Sequence, residues 1–514
     1  MKMRLKRLIL LRRLSQSAFL ALFVYILWST TYPLKGLFPS ETFFAADPHI
    51  MLLISVSERI ILPGLYIAFP MILLTLLLGR FFCGWVCPLG TFIDLAGALR
   101  RRKNTLNDGT ARIIRRPKFF IFGAGLFAAL AGIQIAWIFD PIVIAARFVS
   151  LNFIPTATLL IERIFILLIR DLKLNEPFYP IYQNLQMSLL GVKVSYFDSS
   201  LPIFVFFAVI CLSSLFLARA WCRSLCPLGA FYALTAAPAL LSRKVTDCVH
   251  CGRCKSYCRT GAIREDQSYA KGECILCMDC VYNCPGGRTK FSLGARKPAT
   301  KDTHIERTDG KNGISRGQFL FVILSSLMTL AFRWRGGKEK ADAGKNVIRP
   351  PASLNEKDFL ERCIRCGNCM KVCPTNGLQP VLLESGVEGI WTPRLVPEIG
   401  YCEYNCTLCG QVCPTRAITK VTLAEKHATK LGTAQVDRSI CIAWSLNQSC
   451  LVCEEHCPIS QKAIKTDNTV TADNWVGKPV VVEELCVGCG ICQTKCPVRP
   501  ARAIKVSPEG AYRP

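Results

Sequence analysis

Residues 248–258 read CVHCGRCKSYC, and residues 274–284 read CILCMDCVYNC. Cys248, Cys251, Cys254 and Cys258 therefore form one C-x2-C-x2-C-x3-C run, and Cys274, Cys277, Cys280 and Cys284 form a second. A loop this tight wraps three corners of a cubane [4Fe–4S] core, while the fourth corner faces away and needs a residue from elsewhere. The fourth cysteine of each run therefore reaches the neighbouring cluster. Crossed pairing predicts one cluster on Cys248, Cys251, Cys254 and Cys284, and another on Cys274, Cys277, Cys280 and Cys258. Arg259 stands where a proline usually follows the fourth cysteine, which removes no ligand.

Four more runs lie downstream. Cys363, Cys366, Cys369 and Cys373 keep the same spacing, as do Cys486, Cys489, Cys492 and Cys496. Cys402, Cys406, Cys409 and Cys413 have one extra residue in the first gap, and Cys441 stands well before Cys450, Cys453 and Cys457. Pro374, Pro414, Pro458 and Pro497 follow the last cysteines. Of 29 cysteines, 24 thus fall into six runs, which predicts six [4Fe–4S] clusters on bacterial-ferredoxin-like α+β domains. Disulfide scaffolds do not repeat one short spacing in this way. Four-cysteine zinc sites need neither a crossed fourth ligand nor a following proline.

The rest of the chain is apolar. Hydrophobic residues make up 51% of the 514. After the basic start MKMRLKRLILLRR, Ala18–Leu34, Ile60–Leu78, Phe119–Ile138 and Leu201–Leu217 are uncharged runs long enough to cross a bilayer. The loop between the second and third runs carries eight cations, from Arg100 to Lys118, against Asp108 alone, which places it in the cytoplasm with the N-terminus. Phe153–Ile169 is broken by Glu162 and Arg163 and is expected to lie at the interface. The short run Phe319–Phe332, in a linker over 294–345, is expected to cross the membrane and carry residues 346–514 to the periplasm. The expected fold is a four-span helical bundle over 1–240, a two-cluster domain over 241–293 and a four-cluster domain over 346–514.

The bundle contains a repeat. RFFCGWVCPLGTF at 80–92 matches RAWCRSLCPLGAF at 219–231 in its arginine, its two cysteines, its PLG and its final phenylalanine. Two equivalent loops should therefore meet at the cytoplasmic surface. Cys83, Cys87, Cys222 and Cys226 are then either a joint four-thiolate metal site, two redox-active dithiol pairs or buried structural cysteines. Cys211, inside an apolar run, reads as ordinary packing. Arg80 and Arg219 either hold a quinone oxygen or an anionic cluster, or mark the membrane boundary.

Several classes of function are excluded. There is no C-x-x-C-H for haem c, and the five histidines supply no paired ligands within the spans for haem b. No G-x-G-x-x-G in a βαβ setting and no P-loop is present, so NAD is not expected. The net charge of +27 does not point to nucleic acid, because anionic clusters and cytoplasmic loops both call for cations. No nucleophile or acid–base pair is identifiable.

Residues up to about 300 resemble the NapH-type membrane subunit of periplasmic nitrate reductase systems, through the two R-x-x-C-x3-C-P-L-G elements and the two cysteine runs behind them. Residues from about 315 onward are similar to its NapG-type partner, a four-cluster ferredoxin behind a twin-arginine signal. Here Gly317 follows Ser315-Arg316 where the second arginine would stand. The whole resembles a fusion of the two, related to the MauN/MauM pair and more distantly to NosR. The resemblance implies a quinol dehydrogenase module: electrons leave the quinone pool in the lipid membrane and reach a periplasmic reductase or cytochrome. Four-cluster relatives imply an outer pairing, with the first and last C-terminal runs exchanging fourth ligands, although sequential pairing stays open. The alternative is an electron carrier fed by a cytoplasmic ferredoxin or flavoprotein, or a protein that matures a metal centre elsewhere.

Overall fold

The computed structural model describes residues 2–32, 34, 38–59, 64–99, 106–134, 136–171, 175–186, 195–293, 347–467 and 476–512. All 29 cysteines fall among them. The expected crossing at Phe319–Phe332 lies outside the described residues. The chain divides into two compact units: Met1–Val24, Thr42–Ala145 and Val205–Trp334 form the first, and Tyr25–Glu41, Ala146–Phe204 and Arg335–Pro514 the second.

In the first unit, α1 (Lys2–Ser29), α2 (Pro48–Glu58), α3 (Gly64–Leu78), α4 (Pro88–Gly97) and α5 (Asp108–Leu130) precede Asp140. Asp140 starts a long helix, α6, running over Pro141–Asp171, and α7 (Ser200–Phe216) and α8 (Pro227–Thr235) follow. The helix starts follow from local chemistry. Pro48, Pro88 and Pro227 sit in the first turn, where a missing N–H costs nothing. Asp47 caps α2 by accepting from the His49 and Ile50 amides. Cys87 and Cys226 do the same work for α4 and α8, their Sγ atoms accepting from Gly90 N at 3.4 Å and Gly229 N at 3.2 Å. Each copy of the repeat is thus one short helical turn, a Cys-Pro break and a second helix. Behind α8, strands β1 (Leu241–Val245) and β2 (Thr289–Leu293) pair antiparallel and close the first two-cluster domain at both ends.

Two helices among the described residues are long and apolar enough to cross a membrane: Arg7–Ser29 within α1, and α6. α7 and the Tyr66–Leu78 part of α3 are apolar but shorter, and α5 carries Arg112, Arg115, Arg116 and Lys118 in its first half. The helix expected at Phe153–Ile169 is the middle of α6. Its backbone passes through π-helical turns at Val149–Phe153 and Leu167–Asp171 without ending, so Glu162 and Arg163 sit inside one 31-residue helix.

In the second unit, β3 (Leu378–Pro380) pairs with β4 (Pro393–Leu395), β5 (Thr433–Val436) with β8 (Ile504–Ser507), and β6 (Ile464–Asp467) with β7 (Lys478–Val481), all antiparallel. The expected boundary at residue 240 does not describe this packing, because residues 146–204 belong to the C-terminal unit. Leu151, Phe197 and Ile203 share a core with Ile348, Met370, Leu378, Leu395 and Leu431. Each such fully buried aliphatic side chain stabilises the fold by about 1.5–3 kcal/mol. Arg147 Nε donates to the Arg365 carbonyl at 2.9 Å, and its guanidinium lies 4.4 Å from the Trp391 ring centre. Gly367 has φ +89° and leaves only 3.0 Å from an added Cβ to Leu151 Cγ, so the close approach requires glycine there.

Candidate iron–sulfur centres

The cysteine runs fold as wraps around short helical turns, and in the first unit Cys258 crosses to the second run as the spacing requires. In the first unit the Cys258 thiol lies within electrostatic reach of Cys274, Cys277 and Cys280. Burial, with Cys258 as a further cause, pushes Cys274 up to about 11 and Cys277 up to about 12, and raises Cys280 as well. Cys258 Sγ also accepts from Ala262 N at 3.1 Å. Buried thiols raised this far ionise only when a metal takes the place of the proton. Cys248 and Cys251 are exposed at the edge of the domain.

Three quartets of the second unit each line an apolar-walled cavity. Cys363, Cys366, Cys369 and Cys413 line the first, Cys373, Cys402, Cys406 and Cys409 the second, and Cys441, Cys450, Cys453 and Cys496 the third. Burial, then Cys486 and Cys457, raise Cys489 to about 11, which brings Cys457 to the fourth quartet, with Cys486, Cys489 and Cys492. The first run therefore exchanges its last cysteine with the second, and the third with the fourth. This corrects the outer pairing expected by similarity. The physical reason is closure: β5 precedes the third run and β8 follows the fourth, while Ser353 and Ile418 bridge the ends of the first two. A strand pair that ties the ends of two runs together folds the last cysteine back onto the first run.

The donor sets suit cubane clusters better than zinc. Four thiolates on one zinc stand about 3.8 Å apart, given a Zn–S length near 2.3 Å. Among the described residues only Asp47, His49 and Asp140 bring three ligand atoms within 4.8 Å of one another, so no cysteine quartet is drawn in that far. A cubane core keeps its thiolates farther apart. The quartets also follow one another. Cys402 N donates to Cys489 O at 2.8 Å, which sets the second quartet beside the fourth, and Cys453 acts on Cys492 between the fourth and the third.

Cys83, Cys87, Cys222 and Cys226 are all buried and converge. Burial first, then Cys222, Cys83 and Cys87, push the Cys226 thiol well above its usual range. The arginines of the repeat cross over. Arg219 Nη1 donates to the Cys83 carbonyl at 2.5 Å, and its other nitrogens bind Asp94 at 2.7 and 2.9 Å. Arg80 Nη2 stands 2.8 Å from where a Cβ on Gly229 would lie, and Nη1 binds Glu273 at 2.9 Å. Lys118 Nζ meets both Glu273 oxygens at 2.6 Å. Sequence reading singled out the two arginines but missed their acidic partners, which no motif marks.

The repeat also docks the first two-cluster domain. An added Cβ on Gly84 would meet the Ile275 carbonyl oxygen at 2.1 Å, and one on Gly272 the Ala233 oxygen at 2.3 Å. Trp85 Nε1 donates to Leu276 O at 3.2 Å, and Arg12 Nη1 to Cys277 O at 3.0 Å. Gly84→Ala should therefore force the Ile275 loop away at a cost of about 1–3 kcal/mol. Thermal unfolding checks this, and an unchanged midpoint would show the approach to be slack.

The profile of one family described as a 4Fe-4S binding domain matches residues 61–107 and 200–246, one copy of the repeat each. A second 4Fe-4S binding domain family matches residues 358–379 and 479–500. The methylamine utilization ferredoxin-type protein MauM of Methylorubrum extorquens is 32% identical over 188 residues, which is 36% of this chain and 81% of that protein. The chain belongs to the NapG/MauM ferredoxin-type family. The ferredoxin-type protein NapG of Escherichia coli is 33% identical over 33% of this chain and 74% of its own length. An uncharacterized protein of Methanocaldococcus jannaschii is 26% identical over 56% of this chain and 97% of its length. No solved structure matches. Membership in this family makes the chain an iron–sulfur electron-transfer protein of ferredoxin type.

Proposed function

We propose that this chain is a membrane-anchored quinol dehydrogenase component that passes electrons through six [4Fe–4S] clusters to a periplasmic reductase or cytochrome. The observation that carries the reading is the unbroken adjacency of cysteine quartets within each unit. In the first, the buried repeat cysteines stand against the loop of Cys274–Cys280, which leads to the exposed Cys248 and Cys251. In the second, four quartets run in file. The 24 run cysteines hold the six clusters, and Cys83, Cys87, Cys222 and Cys226 hold a further cluster, a role supported by the profile match over both copies of the repeat. Four spans, with the N-terminus and residues 241–293 in the cytoplasm and residues 346–514 in the periplasm, complete the reading. The similarity of the C-terminal half to NapG and MauM supports it. When bound, each cluster supplies one-electron redox chemistry, and the chain positions it and shields it from water.

A second reading, supply by a cytoplasmic ferredoxin or flavoprotein, is favoured by the exposure of Cys248 and Cys251. Iron quantification and EPR on the anaerobically purified chain, reduced with menadiol, separate the two. About twenty-four irons, or about twenty-eight with the repeat site loaded, and menadiol-reducible cubane signals are expected. Full iron with no reduction by menadiol would move the donor to a soluble protein.

A further inference from the structure

The duplication reaches beyond the cysteines. Asp47-Pro48 starts α2, and Asp140-Pro141 starts α6. Each aspartate turns Oδ1 back on its own helix: Asp47 accepts from His49 N at 2.9 Å and Ile50 N at 3.3 Å, and Asp140 from Ile142 N at 2.9 Å and Val143 N at 3.2 Å. The two caps meet in the interior of the first unit. Asp140 Oδ2 lies 3.1 Å from His49 Nδ1, and Asp47 Oδ2 has no hydrogen-bond partner among the described residues. Asp47, His49 and Asp140 are 0%, 1% and 0% exposed. The two helix N-termini help these carboxylates tolerate burial.

Against this two-fold pattern the copies differ at two positions. His49 stands where the second copy has Ile142, and Tyr232 stands where the first has Ile93. A scaffold that only needed packing would keep the aliphatic residue in both. The two polar replacements fall on the same side. The His49 ring lies 5.9 Å from Phe122, which lies 6.1 Å from Phe231, the neighbour of Tyr232. The Tyr232 hydroxyl is fully buried and has no hydrogen-bond partner among the described residues. Burial first, then Asp47, Cys83, Cys87 and Asp140, push it well above its ordinary range. Its ring packs 5.6 Å from Phe82, the residue before Cys83.

We propose that Asp47, Asp140, His49 and Tyr232 form the proton-accepting site at which quinol is oxidised beside the Cys83–Cys226 quartet, an inference that rests on the quinol reading above. Phe82, Phe122 and Phe231 surround these groups with aromatic rings tilted against one another. Oxidation breaks both quinol O–H bonds. One proton passes to the Asp47–Asp140 carboxylate pair and one to the His49 imidazole. Two electrons leave singly to oxidised [4Fe–4S] clusters, and the ring gains two carbonyl groups. Tyr232 donates its free hydroxyl hydrogen to a quinone oxygen. Burial supports the assignment: it raises Asp47 well above the carboxylate range and Asp140 to about 6, and holds His49 down to about 4. Near neutral pH the carboxylate pair then holds protons readily, while the imidazole rests neutral and carries a proton only in passing.

The test uses the full chain, anaerobic and in detergent, with menadiol as reductant, dithionite as control and binding of 2-heptyl-4-hydroxyquinoline N-oxide read by fluorescence quenching. Tyr232→Phe removes a hydroxyl that holds nothing in the fold. Asp140→Asn keeps the helix cap. Both, with His49→Gln, should slow menadiol reduction by about a hundred-fold. Iron content and the dithionite-reduced spectrum should stay at wild-type levels, and inhibitor binding should weaken in Tyr232→Phe. Wild-type rates and inhibitor binding in all three variants would overturn the site and leave the quinol reading standing. A wild-type chain that dithionite reduces but menadiol does not would take both down. A stoichiometric divalent cation lost from Asp140→Asn would also overturn the site, since the three groups would then be ligands and not proton acceptors.

Discussion

Cys413→Ser is expected to strip the cluster held by Cys363, Cys366 and Cys369 and to leave intact the cluster of its own run, on Cys402, Cys406, Cys409 and Cys373. Cys413 is buried beside Cys363 and Cys366, and with Cys369 these residues line one cavity. Serine ligates iron far less well than thiolate, so about four irons should leave each chain. Cys373→Ser should do the reverse and empty the quartet that contains Cys402. Because the quartets run in file, either lesion also cuts the electron path through the second unit. Iron analysis with EPR on both variants decides the matter. Loss of the Cys363 cluster from Cys496→Ser, with Cys413→Ser harmless to it, would restore the outer pairing and defeat the sequential one.

Glu273→Gln should be the most damaging change outside the cysteines. Glu273 is buried, and it takes Arg80 at 2.9 Å and Lys118 at 2.6 Å, both of them buried too. Burial would raise the carboxyl, but Lys118 and Arg80 outweigh it and hold Glu273 below its ordinary range. Neutralising it leaves two buried cations without their anion. Breaking a buried pair in this way costs about 3–5 kcal/mol. Glu273 belongs to the loop that leads into Cys274, and Arg80 to the repeat, so the loss should loosen the repeat from the domain behind it. Faster proteolysis after residue 240 together with a lower unfolding midpoint would bear this out. A midpoint within about 0.5 kcal/mol of wild type would show that water reaches the site and screens the charges.

Much of this was legible because cluster ligation leaves a mark on spacing. Three ligands in one tight loop must sit close in sequence, and the fourth must not, so the runs, the wraps around short turns and the crossing inside residues 248–284 could be read directly. The partner of each crossing in the C-terminal half could not. Every run there offers a chemically identical fourth cysteine, and the choice is made by short strands such as β5 and β8, of four residues each, whose pairing no pattern announces. The apolar segments were read by hydropathy, which found the apolar part of α1. It did not show the length of α6, where the helix continues through Glu162 and Arg163 and packs on the ferredoxin part through Leu151. The repeat was visible at the cysteines, but its extension to Asp47 and Asp140 was not. The two copies place their aspartates at different distances from their cysteines, and only the folded chain brings the two caps together.

Sequential crossing has a consequence for how such chains change over time. Because each fourth cysteine stays within its own pair of runs, the smallest piece that can be gained, lost or moved without stranding a ligand is a block of eight cysteines with its closing strands. A single run cannot be inherited alone, since it would arrive one ligand short and leave its old partner short as well. The same logic makes the stretch between Ile418 and Thr433, where the first block ends and the second begins, the natural seam for recombination. A lengthening wire of this kind grows by two clusters at a time, and an odd number of runs would mark a chain that has lost part of a block.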